Sequence, residues 1–321
     1  MFISYNLLEF GEKLKELRKS LGFSQVEIQK LAGVSSDALR RIEKGEVIPR
    51  YETLELLSSI YKEDLLELLK GARSNKLLTE YHDELDDIIT CYDDKKMKKL
   101  EEDIRLGFTG KNESSIVNPN EVIQFLLLIR GASLYHSRFS SDHRDARNTL
   151  QDALKLTIPQ FKLEDYKNYK YSYIELRILL LLSILIAEDQ QVKISTQILY
   201  FILDRLKAST TTKYQDFLII KIYTNISYNY HLEDNHRRVI RASNEGIEYC
   251  ISHELTHALN SLYYRKGIAE FMLHHKSYKS SLFSSFFILK MTGNEELLDI
   301  YLEVTKEQYG IELSTEFLKS K

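Results

Sequence analysis

Ser24-Gln25-Val26-Glu27, Gly33-Val34-Ser35-Ser36 and Arg40-Arg41-Ile42-Glu43 are the runs whose spacing decides the fold of the N-terminal part of this chain. Ser24 followed three residues later by Glu27 is a capping box, in which hydroxyl and carboxylate each satisfy an orphan backbone N–H at a helix start. That helix runs to Leu31-Ala32, where Gly33 supplies the permissive backbone of a tight turn and Ser35 can cap a further helix over about Ser36 to Lys44. Upstream, Phe10, Leu14, Leu17 and Leu21 recur at four, three and four residues, the stripe of a helix from Phe10 to Leu21 that stops at Gly22. The whole stretch Phe10 to Leu69 is expected to be a five-helix domain.

Two short helices joined by a tight turn, often containing Gly, form the helix-turn-helix unit, whose second helix places its N-terminal side chains against base edges in the major groove. Ser36, Asp37 and Arg40 are then the expected readers, with Arg40 able to make the bidentate guanine contact that carries about 1–3 kcal/mol of discrimination. Gln25 and Ser35 sit at helix N-termini, where a side-chain donor and free backbone N–H groups together can hold a phosphate. Arg41 either touches phosphate or pairs with a carboxylate such as Glu16. These residues resemble the Cro/C1-type (XRE) helix-turn-helix family in the Gln after a capping Ser (Gln25), the Gly-Val-Ser turn (Gly33 to Ser35), and Arg-Ile-Glu then Gly (Arg41 to Glu43, Gly45). From Met1 to Lys70 there are 11 Lys plus Arg against 12 Asp plus Glu, so the segment is not a basic block that binds DNA by charge alone. A dimer engaging two half-sites of a double-stranded operator is expected.

The chain is 321 residues long, 43% apolar and 28% charged, the composition of a soluble globular protein of about two domains. Three prolines over this length argue for an almost all-helical chain with short turns. Cys91 and Cys250 stand far apart, which suggests neither a disulfide framework nor a Cys-based zinc site, and a reducing cytoplasm fits. No signal peptide is seen at Met1 to Leu8. The most apolar run, Ile178 to Ala187, is far shorter than the ~20 residues of a spanning helix and is expected to be buried. No membrane association and no cofactor are expected.

After a hinge over 71–76, paired helices recur at intervals of roughly forty residues. The clearest pairs are Tyr214 to His231 with Asn235 to Ile251, and Thr256 to His274 with Ser277 to Lys290. Earlier pairs are drawn at about Leu77 to Ile104, Asn120 to Leu156 and Tyr171 to Leu206, and Glu295 to Tyr309 is expected to cap the array. Such units cannot bury their own apolar faces and stack into a solenoid with a concave binding surface. They resemble tetratricopeptide repeats, most visibly at Tyr263 to Ala269, where the small Gly267 and Ala269 allow close helix packing. The fold expected is all-α: a helix-turn-helix bundle over 1–70, then a TPR-like right-handed α-solenoid over 77–321. An XRE-type domain followed by such repeats resembles the RNPP family of peptide-pheromone receptors. The resemblance implies a cytoplasmic homodimeric transcription regulator, used in quorum sensing, whose repeat groove binds a short imported signalling peptide.

In the Tyr214 to His231 helix, Ile219, Tyr223, Ile226 and Tyr230 form the expected core stripe, while Lys221, Asn225 and Asn229 fall together on another face. An Asn amide offers a donor and an acceptor to a peptide backbone whatever its side chains are, and Asn225 corresponds in position to the asparagine that holds the peptide in the RNPP family. Lys221 and Arg177 are expected to attract a peptide carboxylate, and Tyr264 to form an adjacent wall. One motif points elsewhere. His253-Glu254-Leu255-Thr256-His257 matches H-E-x-x-H, which on one helix binds zinc through two imidazoles and activates water through the glutamate. It falls where one repeat ends and the next begins, so a turn is expected to divide the histidines. With no phosphate loop or nucleophile elbow beside it, no catalytic or metal residue is expected. A zinc peptidase, or a solenoid that binds a protein partner, stand as the alternatives.

Overall fold

The structure, a computed structural model, describes residues 7–72, 80–90, 93–109, 119–136, 143–208, 213–256 and 258–312, and every regular element among them is helical. The chain divides into two compact units, 1–159 and 160–321.

The first unit begins with five short helices: α1 (Leu7–Ser20), α2 (Gln25–Ala32), α3 (Ser36–Glu43), α4 (Tyr51–Tyr61) and α5 (Leu65–Gly71). The capping box forms as the spacing requires, with Ser24 Oγ accepting from Glu27 N and Glu27 Oε2 accepting from Ser24 N. Gly33, at φ 69°, closes α2 in the left-handed conformation, and the Ser35 hydroxyl then accepts from Ala38 N to open α3. Phe10, Leu14, Ile28, Leu39, Leu57 and Leu65 are sealed in one core, each contributing about 1.5–3 kcal/mol of burial. Helix α1 starts three residues earlier than its stripe suggested, because Leu7 also reaches this core. Of the expected hinge, Gly71 ends α5 and Ala72 caps it, whereas 73–76 lie outside the described residues. The unit continues through α6 (Glu80–Thr90), α7 (Asp94–Thr109), α8 (Pro119–His136) and α9 (Arg144–Lys155), with α6 on α7, α7 on α8 and α8 on α9.

The second unit opens on a 3-10 segment, Leu163–Asn168, that the helical periodicity did not foretell. It continues with α10 (Tyr173–Glu188), α11 (Val192–Lys207), α12 (Lys213–Leu232), α13 (His236–Ser252), α14 (Leu259–Met272), α15 (Tyr278–Met291) and α16 (Glu295–Tyr309). Each helix packs on the next, and α10 on α12 and α12 on α14, so the first helices of successive pairs form one layer. That double set of neighbours explains the sequence of α10, apolar almost all round and buried almost all round. Gly267 permits the α14–α15 approach, since a Cβ there would stand 2.8 Å from the Leu282 side chain. No described helix is long and apolar enough to cross a membrane.

Candidate functional site

Helix α3 turns Leu39, Ile42 and Glu43 inward and leaves Asp37 and Arg41 exposed, with Ser36 and Arg40 half-exposed. Its N-terminus is fixed from α2, where Gln29 Oε1 accepts from Ser36 N at 3.0 Å. Arg40 donates from Nη2 to Asp37 Oδ1 at 2.7 Å. That hydrogen bond raises the arginine pKa and lowers that of Asp37. An exposed pair three residues apart contributes little to stability, so a guanine edge can take the place of Asp37. Glu46 stands 4.0 Å from Arg40 Nη1, 3.8 Å from Arg41 Nε and 3.9 Å from Lys44 Nζ. Arg41, for which Glu16 was one expected partner, therefore sits beside Glu46, as do two further cations of this face.

Behind that face is a contact that sequence reasoning missed. Arg18 of α1 donates to Glu43 from Nε at 2.6 Å and Nη2 at 2.9 Å, and from Nη1 to the Phe23 carbonyl. Gln25 Nε2 donates to the same Glu43 carboxylate at 2.8 Å, so the expected phosphate holder also braces α2 against α3. A signal for Arg18 existed: Leu7, Gly11, Leu14 and Arg18 follow one another at four, three and four residues, and a cation in a buried register needs a buried partner.

In the second unit the expected core stripe is correct, with Ile219, Tyr223, Ile226 and Tyr230 all buried. The expected polar face divides. Asn225 is half-buried and donates to its own helix at the Lys221 carbonyl. Asn229 is only 2% exposed and lies inside, donating to Ser195 Oγ and Thr196 Oγ1 of α11. Packing of α11 over the end of α12 encloses it, which the period of α12 alone could not reveal. Lys221 is half-buried, and Arg177 is buried in α10. Tyr264 stacks on Tyr301 with centroids 4.2 Å apart, and its hydroxyl accepts from Thr305 Oγ1. Burial pushes the Tyr264 pKa up to about 12.

His253 and Glu254 of the H-E-x-x-H motif lie outside any helix. His253 caps the end of α13, Glu254 sits at φ 55°, and α14 starts only at Leu259. The His253 ring stacks on Tyr249 and its Nδ1 lies 2.9 Å from the Tyr249 carbonyl, while His257 lies outside the described residues. Two imidazoles one helical turn apart are the premise of the zinc motif, and this turn removes that premise.

The helix-turn-helix family model HTH_3 matches residues 14–68. The SPbeta prophage-derived uncharacterized HTH-type transcriptional regulator YonR of Bacillus subtilis (strain 168) is 32% identical over 83 residues, 26% of this chain and 77% of YonR. PH1808 of Pyrococcus horikoshii, an HTH-type transcriptional regulatory protein by name, is 31% identical over 90 residues, which span 28% of this chain and 29% of the relative. Among solved structures, Bacillus thuringiensis PlcR in complex with the peptide PapR7 and DNA superposes with a TM-score of 0.63 at 17% identity, over 91% of this chain and 99% of PlcR. ComR from S. thermophilus, in complex with DNA and its signalling peptide ComS, gives 0.55 at 14% identity, over 94% and 100%. The SHP pheromone receptor Rgg2 of Streptococcus dysgalactiae gives 0.54 at 14%, over 92% and 99%. Through its N-terminal helices the chain belongs to the helix-turn-helix family of transcriptional regulators, and its fold is that of PlcR, ComR and Rgg2.

Proposed function

We propose that this chain is a DNA-binding transcription regulator, not an enzyme, whose affinity for its operator is set by a short signalling peptide held in the second unit. The fold it shares with PlcR over 91% of its length carries the reading, because that structure is PlcR in complex with the peptide PapR7 and DNA. Ser36, Asp37, Arg40 and Arg41 face the bases and backbone of a double-stranded operator, with Gln25 and Ser35 at the helix N-termini that meet phosphate. Asn225 and Lys221 on α12, Arg177 on α10 and Tyr264 on α14 belong to the layer of first helices, and we assign the peptide to that layer. The Asn229 amide already serves α11. The working division is 1–70 for DNA, 71–76 as the hinge and 77–321 for the peptide, in a cytoplasmic homodimer that spans two half-sites.

Regulation requires that the peptide bind one arrangement of the dimer better than another. The test is thermal melting of the full chain with synthetic short peptides encoded beside its gene, followed by operator selection with and without the peptide that shifts the midpoint. A ligand of the native state must raise the midpoint. One peptide that raises it and changes the yield of selected DNA is the expected result. No shift with any peptide, or a shift with identical DNA selection, would sink the reading.

A further inference from the structure

Arg265 of α14 is a cation without a counter-charge among the described residues. The Tyr228 ring of α12 lies against it, and Tyr264 on its own helix, Tyr301 and Tyr309 on α16 and His231 on α12 are near enough to interact with its charge. Its guanidinium lies 4.5 Å from the Tyr228 ring centroid, and its Nε has no hydrogen-bond partner. No described carboxylate pairs with it. Desolvation pulls its pKa below the usual arginine range, and also lowers that of His231, which Arg265 and His236 depress further. The residue is nevertheless not closed off, since part of its surface stays open to solvent.

The surrounding polar atoms are largely committed to one another. Thr305 Oγ1 donates to the Tyr264 hydroxyl, Ser261 Oγ lies 3.0 Å from the Tyr301 hydroxyl, and the Tyr309 hydroxyl lies 3.2 Å from His231 Nε2. Among the described residues the fold thus gathers tyrosines near a positive charge and pairs no carboxylate with it. A buried charge is normally paired, because removing one partner of such a pair leaves an expensive uncompensated ion. Ring faces attract the guanidinium but do not replace an anion, since the quadrupole contributes only a fraction of a full charge.

We propose that Arg265, set against the Tyr228 ring with Tyr264, Tyr301 and Tyr309 nearby, is the anchor for a carboxylate of the bound peptide, either its C-terminus or an acidic side chain. This rests on the peptide-receptor reading above. A planar guanidinium presents parallel N–H donors that match a carboxylate bidentately, and a lysine ammonium does not. The tyrosine rings exclude water from that pair and give a flanking apolar side chain a surface to cover. Arg177 and Lys221 were the cations expected for this role from sequence, and Arg265 was not among them. Its signal is the same as that of Arg18: Leu262, Arg265 and Ala269 are spaced at three and four residues, and both apolar members are fully buried.

The test uses the immobilised full-length protein as wild type, R265M and R265K. Each is challenged with a random heptapeptide library carrying free C-termini, the same library C-terminally amidated, and a free-acid library lacking Asp and Glu. Retained peptides are identified by mass spectrometry, and each variant is melted. The wild type is expected to retain free-acid peptides at least tenfold over R265M, with R265K between them. Loss on amidation assigns the terminus, and loss in the Asp/Glu-free library assigns a side chain. Because R265M removes an unpaired charge, its melting midpoint should stay level or rise, whereas a structural tie would make it fall. Equal retention by wild type and R265M, or a fallen midpoint with unchanged peptide selectivity in R265K, overturns the anchor alone. No retention by any of the three, including the wild type, overturns the peptide-receptor reading together with it.

Discussion

Arg18 and Glu43 form a buried bidentate ion pair across 25 residues of sequence, Nε to Oε1 at 2.6 Å and Nη2 to Oε2 at 2.9 Å, and so tie the first helix of the DNA-binding bundle to the end of the recognition helix. Gln25 adds a third hydrogen bond to the same carboxylate. The pair fixes the pitch of α3 from behind, on the side away from the exposed Asp37 and Arg41. Truncating one partner leaves an unpaired charge in a nearly closed site. R18M should destabilise the first unit by about 3–5 kcal/mol in urea unfolding, and R18M combined with E43L should recover much of that loss. A single-variant loss below 1 kcal/mol would show that the pair is dispensable.

Arg40 is held by Asp37, and it shares Glu46 with Arg41 and Lys44 as a common negative charge. R40A should lose about 1–3 kcal/mol of discrimination at one base position while leaving the second unit folded. E46Q should act in the opposite sense, freeing Arg40, Arg41 and Lys44 for phosphate. Its non-specific affinity should rise, and the slope of log affinity against log salt should steepen by up to about one. Salt titrations of both variants on operator and random duplexes check the pair of expectations.

Asn225 and Asn229, one turn apart on α12, should separate cleanly. N229A strips two hydroxyls of α11 of their donor inside the fold, and should cost about 1–3 kcal/mol of stability with or without peptide. N225A gives up only a bond to its own helix, so its stability should stay within about 0.5 kcal/mol of wild type while the peptide-induced shift falls. If N225A melts with the wild-type peptide shift intact, Asn225 is not a backbone clamp.

His231 makes stability depend on pH. Burial lowers its pKa from the ordinary 6.5, Arg265 and His236 lower it further, and Asp234 opposes them. The unfolded chain therefore binds the proton more tightly than the folded one. Stability is full above pH 6.5 and is lost as pH falls from there toward the folded pKa. Urea midpoints at about pH 7.5 and about pH 5.5 should differ less in H231Q than in the wild type. An equal or larger acid loss in H231Q would assign the pH dependence to another group.

Much of this architecture was legible before any coordinates. Ser24 with Glu27, Gly33 and Ser35 are local devices, in which a side chain bonds a backbone group three residues away or a missing Cβ permits a positive φ. Such devices need no tertiary context, so the α2-turn-α3 unit could be placed to within a residue. The same holds for Glu295–Tyr309 and for the buried stripe Ile219, Tyr223, Ile226 and Tyr230, where the helical period alone decides which residues meet the core. The turn after Ser252 was also foreseeable, because it falls at a repeat boundary, and it is what parts Glu254 from a helical zinc motif.

The amino-acid sequence by itself determined the caps of α2 and α3, the span of α16 and the apolar stripe of α12, because these depend on neighbours within a turn or two along the chain. Tertiary structure alone decided which polar residues found partners. Arg18 and Glu43 meet only because α1 crosses α3, Asn229 is enclosed only because α11 covers it, and Arg265 is left uncompensated among the described residues because α12 and α16 bring tyrosines rather than carboxylates near it. A helical period says that a side chain points inward. What waits for it there is supplied by segments tens of residues away, and the cost or gain of a buried charge is set entirely by that second party.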